Sequence, residues 1–190
     1  QARDRLIVAA DLSSTAEIHA LADDLRGIAG ALKIGLQAFT ANGPELVREV
    51  IAAGHRVFLD LKLHDIPNTV QHAVREAGKL GIAMLTVHAT GGAAMLGAAR
   101  SQNTLILAVT VLTSLGEDDL DAIGLTGGAS ASVVRLAKLA AASGIRGVVA
   151  SPLARKASRS SIACLMRPSY AMAAGSASTR APVICATDVD

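Results

Sequence analysis

Apolar and polar positions follow two rhythms along this chain. Short, nearly continuous apolar runs fall at Leu6–Asp11, Ala31–Gly35, Val57–Leu63, Met84–His88, Thr104–Leu112 and Gly147–Ser151. Runs of that length, rich in Val, Ile and Leu, predict parallel strands covered on both faces. Between them apolar residues recur at helical spacing. Ser14-Thr-Ala-Glu17 has the form of a capping box, and Ile18, Leu21, Ala22 and Leu25 then share one face up to Gly27. Pro44 opens a second helix and Gly54 closes it. Val70, Ala73, Val74 and Ala77 line a third, which stops near Gly81, and two more are predicted over Ala93–Arg100 and Ser130–Ala142.

Strand–helix units repeated in one direction build either an open doubly wound sheet or a (β/α)8 barrel. Periodicity does not separate the two. Asp11-Leu-Ser-Ser follows the first strand where a dinucleotide-binding fold would carry its Gly-rich turn, which weakens the open-sheet reading. Composition adds a constraint on the core. Of 190 residues 51% are hydrophobic, yet there is no Trp, one Tyr and two Phe, so the interior is built from Ala, Val, Leu and Ile. The net charge of +2 is spread along the chain, with no basic stripe for nucleic acid. No secretory leader is visible, and no apolar stretch approaches the roughly 20 residues of a membrane span. The expectation is a soluble cytoplasmic protein with no nucleic-acid or membrane partner. Cys164 and Cys185 form no metal or redox motif.

Polar residues gather where the predicted strands end. Asp11 closes the first, Lys33 lies in the second, Asp60 and Lys62 lie in the third, His88 closes the fourth and Thr113 follows the fifth. In barrels and open parallel sheets alike, that end carries the active site. In the third strand Asp60, Lys62 and His64 alternate with Leu59, Leu61 and Leu63. An amphipathic strand with a wet face would show the same pattern. Its neighbours, however, read as buried on both sides, which points the polar row into an interior. Charges there must pair, because an isolated buried one costs several kcal/mol. Asp11 has the competing role of capping the first helix, and Thr113 that of a turn hydroxyl.

The run Asp60-Leu-Lys-Leu-His-Asp65-Ile-Pro-Asn-Thr69-Val70 resembles the signature of the orotidine 5′-phosphate decarboxylase family. Further similar stretches occur in order: Leu6-Ile-Val-Ala-Ala-Asp11, Leu32-Lys33-Ile-Gly35, Thr86-Val-His88-Ala-Thr-Gly-Gly92, Val109-Thr-Val-Leu-Thr113-Ser114 and Val148-Val-Ala-Ser151-Pro152. The resemblance covers about residues 5–153. It implies a (β/α)8 barrel that converts orotidine 5′-phosphate to uridine 5′-phosphate in pyrimidine biosynthesis, without metal or organic cofactor. It implies catalytic roles for Lys33, Asp60, Lys62 and Asp65 in a charge chain of alternating sign, with Lys62 delivering the proton to C6 of the pyrimidine. Asp11, Lys33, Asp60, Thr69 and Thr113 would bind substrate. Asp65 and Thr69 would reach into a neighbouring subunit's site, so a homodimer with shared active sites is implied. A barrel relative such as 3-keto-L-gulonate 6-phosphate decarboxylase shares an Asp-x-Lys-x-x-Asp run. It uses magnesium, though, and carries an acidic residue where Lys33 stands. A non-catalytic barrel fragment is the third reading.

The family pattern fades after Leu153. The chain reads as one barrel domain over 1–190, family-like over 1–154 and atypical over 155–190. The seventh and eighth strand–helix units, with their loop Gln and phosphate-binding Arg, are missing or unrecognisable. Arg155, Arg159, Arg167 and Arg180 have no strand-end context. Six strands and an irregular tail would leave two sheet edges uncovered.

Overall fold

The computed structural model describes Asp4, residues 6–150, and the backbone of 171–173 and 184–186. Six parallel strands alternate with helices in chain order: β1 (Leu6–Ala9), α1 (Thr15–Asp24), β2 (Ala31–Gly35), α2 (Leu36–Ala52), β3 (Val57–Leu63), α3 (Pro67–Gly78), β4 (Met84–His88), α4 (Gly92–Ala98), β5 (Leu105–Val109), α5 (Glu117–Ala122), α6 (Gly128–Ala142) and β6 (Gly147–Val149). Each strand of this series pairs with the next one in sequence. Such sequential order, with no point of reversal, is that of a barrel wall, whereas a doubly wound sheet reverses at a switch point.

Two short strands lie beyond β6. β7 (Ala171–Ala173) pairs parallel with β1, and β8 (Ile184–Ala186) pairs antiparallel with β6. Both edges of the six-stranded wall are therefore covered, where the sequence predicts them open. The eight-stranded order is β7-β1-β2-β3-β4-β5-β6-β8. The antiparallel β8 breaks the repeat of a (β/α)8 barrel, because a parallel unit would return along the wall through a helix. The four arginines weighed as phosphate ligands, and Ser151 and Pro152, lie outside the described residues.

Side chains sort into two apolar layers around the wall. Val8, Leu32, Ile34, Leu59, Leu85, Val87, Ile106, Ala108 and Val148 face outward and pack with the helices. Ile7, Ala31, Phe58, Met84 and Leu107 face inward and form a separate cluster, one residue from each of five strands. This inner layer closes the floor of the barrel. Burying a side chain such as Phe58 or Ile7 contributes roughly 1.5–3 kcal/mol. One strand step above this floor the inward positions become polar: Lys33, Asp60 and Thr86.

Helix starts follow their local chemistry, with two differences from the sequence expectation. Ser14 is the N-cap of α1, its Oγ accepting from the Glu17 N–H at 3.5 Å. Asp11 therefore does not cap this helix. The helix expected to open at Pro44 is preceded by another helical segment from Leu36, and the two join across Gly43 at φ 69°. Glycine tolerates that left-handed backbone, and Pro44 then starts the second piece with its φ already set. α5 has no counterpart in the sequence pattern. Its sequence, Glu-Asp-Asp-Leu-Asp-Ala, buries only Leu120 and carries no helical apolar stripe. Among the described residues no helix is long and apolar enough to cross a membrane.

Candidate active site

The carboxyl ends of β1 to β3 bring four charged side chains into one line. Lys33 is buried within β2, with its Nζ 3.0 Å from Asp11 Oδ1 and 3.7 Å from Asp60 Oδ2. Lys62 Nζ lies 2.8 Å from the same Asp60 Oδ2. The order is Asp11, Lys33, Asp60, Lys62, alternating in sign and summing to zero. Neutrality within the line lets Lys33 and Asp60 be buried, their side chains only 9% and 13% exposed. Lys62, at 30%, opens toward solvent.

Each member is placed by its element. Asp11 sits just past β1 on a loop tied down by α2: Gln37 Nε2 donates to Ser13 Oγ at 2.7 Å, and Asn42 Nδ2 donates to the Ser13 carbonyl at 3.1 Å. Gly35 ends β2 opposite Asp60. A Cβ there would stand 3.3 Å from Lys33 Nζ and 3.5 Å from Asp11 Oδ1, so the missing side chain makes room for the ion pair.

The third strand carries a distortion that simple alternation does not foresee. Leu59 pairs with Leu85 and Leu63 with Val87, so β3 uses four residue steps where β4 uses two. Within this bulge Lys62 has φ 51°, the only described non-glycine residue with a positive φ. A long side chain in that region costs on the order of 1–3 kcal/mol and persists only where its surroundings enforce it. Bulges beside active sites re-aim side chains, and this one turns Lys62 back onto Asp60.

Thr86 joins the site although nothing in the charge pattern of the sequence marks it. It is fully buried, accepts from the Lys62 backbone N–H at 2.8 Å and donates to Asp60 Oδ1 at 2.9 Å. The available signal was a hydroxyl on the inward face of an otherwise apolar strand.

The remaining expected residues do not join the line within one chain. Asp65 is exposed, and its Oδ1 accepts from the Ile66 N–H. Thr69 is exposed in the first turn of α3, and Thr113 is exposed beyond β5. The carboxylate at the end of the line in a single chain is thus Asp11, while Asp65 stands on the rim with no ion pair among the described residues.

His88 ends β4, its ring centroid 5.5 Å from that of His64. Burial holds its pKa below the usual histidine value; His64 and Lys62 push the same way, and Asp60 opposes them. The folded state therefore resists protonation at this ring, whereas the unfolded chain takes a proton near pH 6.5. The stability due to neutral His88 is complete above that pH and is lost as pH falls from there through the lower folded value. Urea unfolding of wild type between about pH 7.5 and 5 should show this decline, and His88→Asn should flatten it. An equal decline in both proteins would remove His88 as its source.

The sequence profile of the orotidine 5′-phosphate decarboxylase / HUMPS family matches residues 4–179. The chain belongs to this family. Among its relatives, the orotidine 5′-phosphate decarboxylase of Anaeromyxobacter sp. (strain K) is 49% identical over 152 residues, covering 78% of this chain and 67% of the relative. That of Alkalilimnicola ehrlichii is 50% identical over 153 residues, covering 77% and 65%. The chain thus spans about two thirds of the length of these relatives. Solved structures agree. The orotidine 5′-phosphate decarboxylase of Lactobacillus acidophilus superposes with a TM-score of 0.74 at 34% identity, over 82% of this chain and 75% of that one. An uncharacterised conserved protein from Geobacillus kaustophilus gives 0.75 at 33% identity, over 90% and 83%.

Proposed function

We propose that this chain is a carboxy-lyase that converts orotidine 5′-phosphate to uridine 5′-phosphate, in one barrel domain and without metal or organic cofactor. One observation carries the reading: a neutral line of paired carboxylates and ammoniums, Asp11–Lys33–Asp60–Lys62, with Lys33 and Asp60 buried at its centre, at the strand ends of a barrel of this family.

Decarboxylation breaks the bond between C6 and the carboxylate, leaves the electron pair on C6 and releases carbon dioxide. The carbanion then takes a proton. An ammonium fixed beside C6 stabilises the developing charge before the bond breaks and supplies the proton afterwards. Lys62 is suited to this because it is the more open of the two ammoniums and is held by Asp60. Asp60 pairs with the ammonium and aims it. Lys33 anchors Asp60 from below and, with Asp11, faces the ribose. Thr113 binds the pyrimidine edge. Asp65 and Thr69, exposed at the start of α3, complete the site of a second copy in a cytoplasmic homodimer.

The test is an ultraviolet assay of orotidine 5′-phosphate loss with and without a chelator. Turnover is expected, and it should be unchanged by the chelator because Lys33 and Lys62 supply the cations. No turnover in the dimeric protein would refute the reading. Activity lost to chelator and restored by magnesium would support instead the magnesium-dependent gulonate-type relative.

A further inference from the structure

We infer that Thr86 is a positioning residue that sets the Asp60–Lys62 pair, an assignment that rests on the proposed decarboxylation. Its origin is the mismatch between β3 and β4. Across the bulge Leu59 pairs with Leu85 and Leu63 with Val87, which leaves Thr86 as the single β4 residue opposite Asp60, Leu61 and Lys62. A bulge of this kind interrupts the ladder, so the Lys62 N–H needs a partner from outside it. The Thr86 hydroxyl provides one, 2.8 Å away.

A hydroxyl has one proton and two acceptor lone pairs. Because Thr86 Oγ1 accepts from the Lys62 N–H, its own proton is free to go to Asp60 Oδ1, 2.9 Å away. The direction of the hydrogen-bond chain is thereby set: Lys62 N–H to Thr86 Oγ1, Thr86 O–H to Asp60 Oδ1. The second oxygen, Asp60 Oδ2, is left for the two ammoniums of Lys33 and Lys62. One buried atom thus restrains both the plane of the Asp60 carboxylate and the left-handed backbone that carries Lys62, at φ 51°. Without it the carboxylate can rotate to give one oxygen to each lysine, and the strained Lys62 backbone loses a restraint. Thr86 lies behind Asp60 and acts on the chemistry through it, so its loss affects the aim of the Lys62 ammonium more than substrate binding.

The experiment compares Thr86→Val, which keeps the shape and removes the hydroxyl, with Thr86→Ser, which keeps the hydroxyl. Misplacing a catalytic group by about an ångström costs on the order of a hundredfold in rate. Thr86→Val is therefore expected to lower kcat by roughly tenfold to a hundredfold with KM little changed. Thr86→Ser should restore most of kcat. Amide hydrogen exchange supplies a readout independent of turnover: the Lys62 N–H should exchange faster in Thr86→Val than in wild type and Thr86→Ser, at matched unfolding midpoints. If Thr86→Val does not fold, Thr86→Ala against Thr86→Ser makes the same comparison. Unchanged Lys62 exchange and kcat in the hydroxyl-free variant would overturn the inference, as would an equal loss of kcat in Thr86→Ser. A wild-type protein inert toward orotidine 5′-phosphate would instead refute the proposed reaction, and the exchange comparison would still report on the hydrogen-bond chain.

Discussion

Lys62→Ala is expected to lower kcat by at least roughly 10³-fold while the protein still folds and binds uridine 5′-phosphate. Two terms are lost together: the cation that stabilises charge at C6, and the acid that protonates it. The fold should survive because Asp60 keeps other partners. Lys33 Nζ remains 3.7 Å from Oδ2, and the Thr86 hydroxyl 2.9 Å from Oδ1. Alanine also accepts the backbone less readily than glycine at φ 51°, so Lys62→Gly is the companion variant that relieves this strain. Binding measured by calorimetry, beside turnover measured by absorbance, separates the chemical step from occupancy. A kcat within tenfold of wild type would remove Lys62 as the proton donor.

The second large effect is a rescue. Lys62→Ala and Asp65→Ala should each be inactive as homodimers, and mixing them should restore activity. If each site takes Lys62 from one chain and Asp65 from the other, a mixed dimer holds one site with both changes and one with neither. Random exchange of equal amounts then gives about a quarter of wild-type activity, set by the two-fold symmetry of a shared interface. The structure supplies the motive. Asp65 stands exposed at the start of α3, bonded only to its neighbour's N–H among the described residues, while Asp11 terminates the charge line within the chain. Subunit exchange must be verified with differently tagged chains. Exchange without recovered activity would place Asp65 in its own chain's site or in none.

Much of this protein is legible from the chain alone, because the signals involved are local. Bounds of β2, β3 and β4 agree with the apolar runs, since a strand covered on both faces is apolar along most of its length. Lys33, Asp60 and Lys62 stand out because charges in such strands have to be paired or used. Ser14 announces α1 through side-chain hydrogen bonding within four residues. What depends on pairing between distant segments is not written in any one stretch. Alternation predicts a regular β3, but the bulge exists only relative to β4, as does the left-handed Lys62 backbone. Thr86 looks like a minor hydroxyl in an apolar strand until the bulge places it against both Asp60 and the Lys62 N–H. Asp11 could equally have been a helix cap, and only the approach of Lys33 from the adjacent strand decides its partner. The sheet edges likewise depend on pairing: β7 and β8 are three-residue strands with no periodicity to detect, defined only by the β1 and β6 backbones they meet. Composition and local spacing thus determined most of the wall's strands and helices and the candidate charges. Register, a relation between strands far apart in sequence, decided which charges meet and in what geometry.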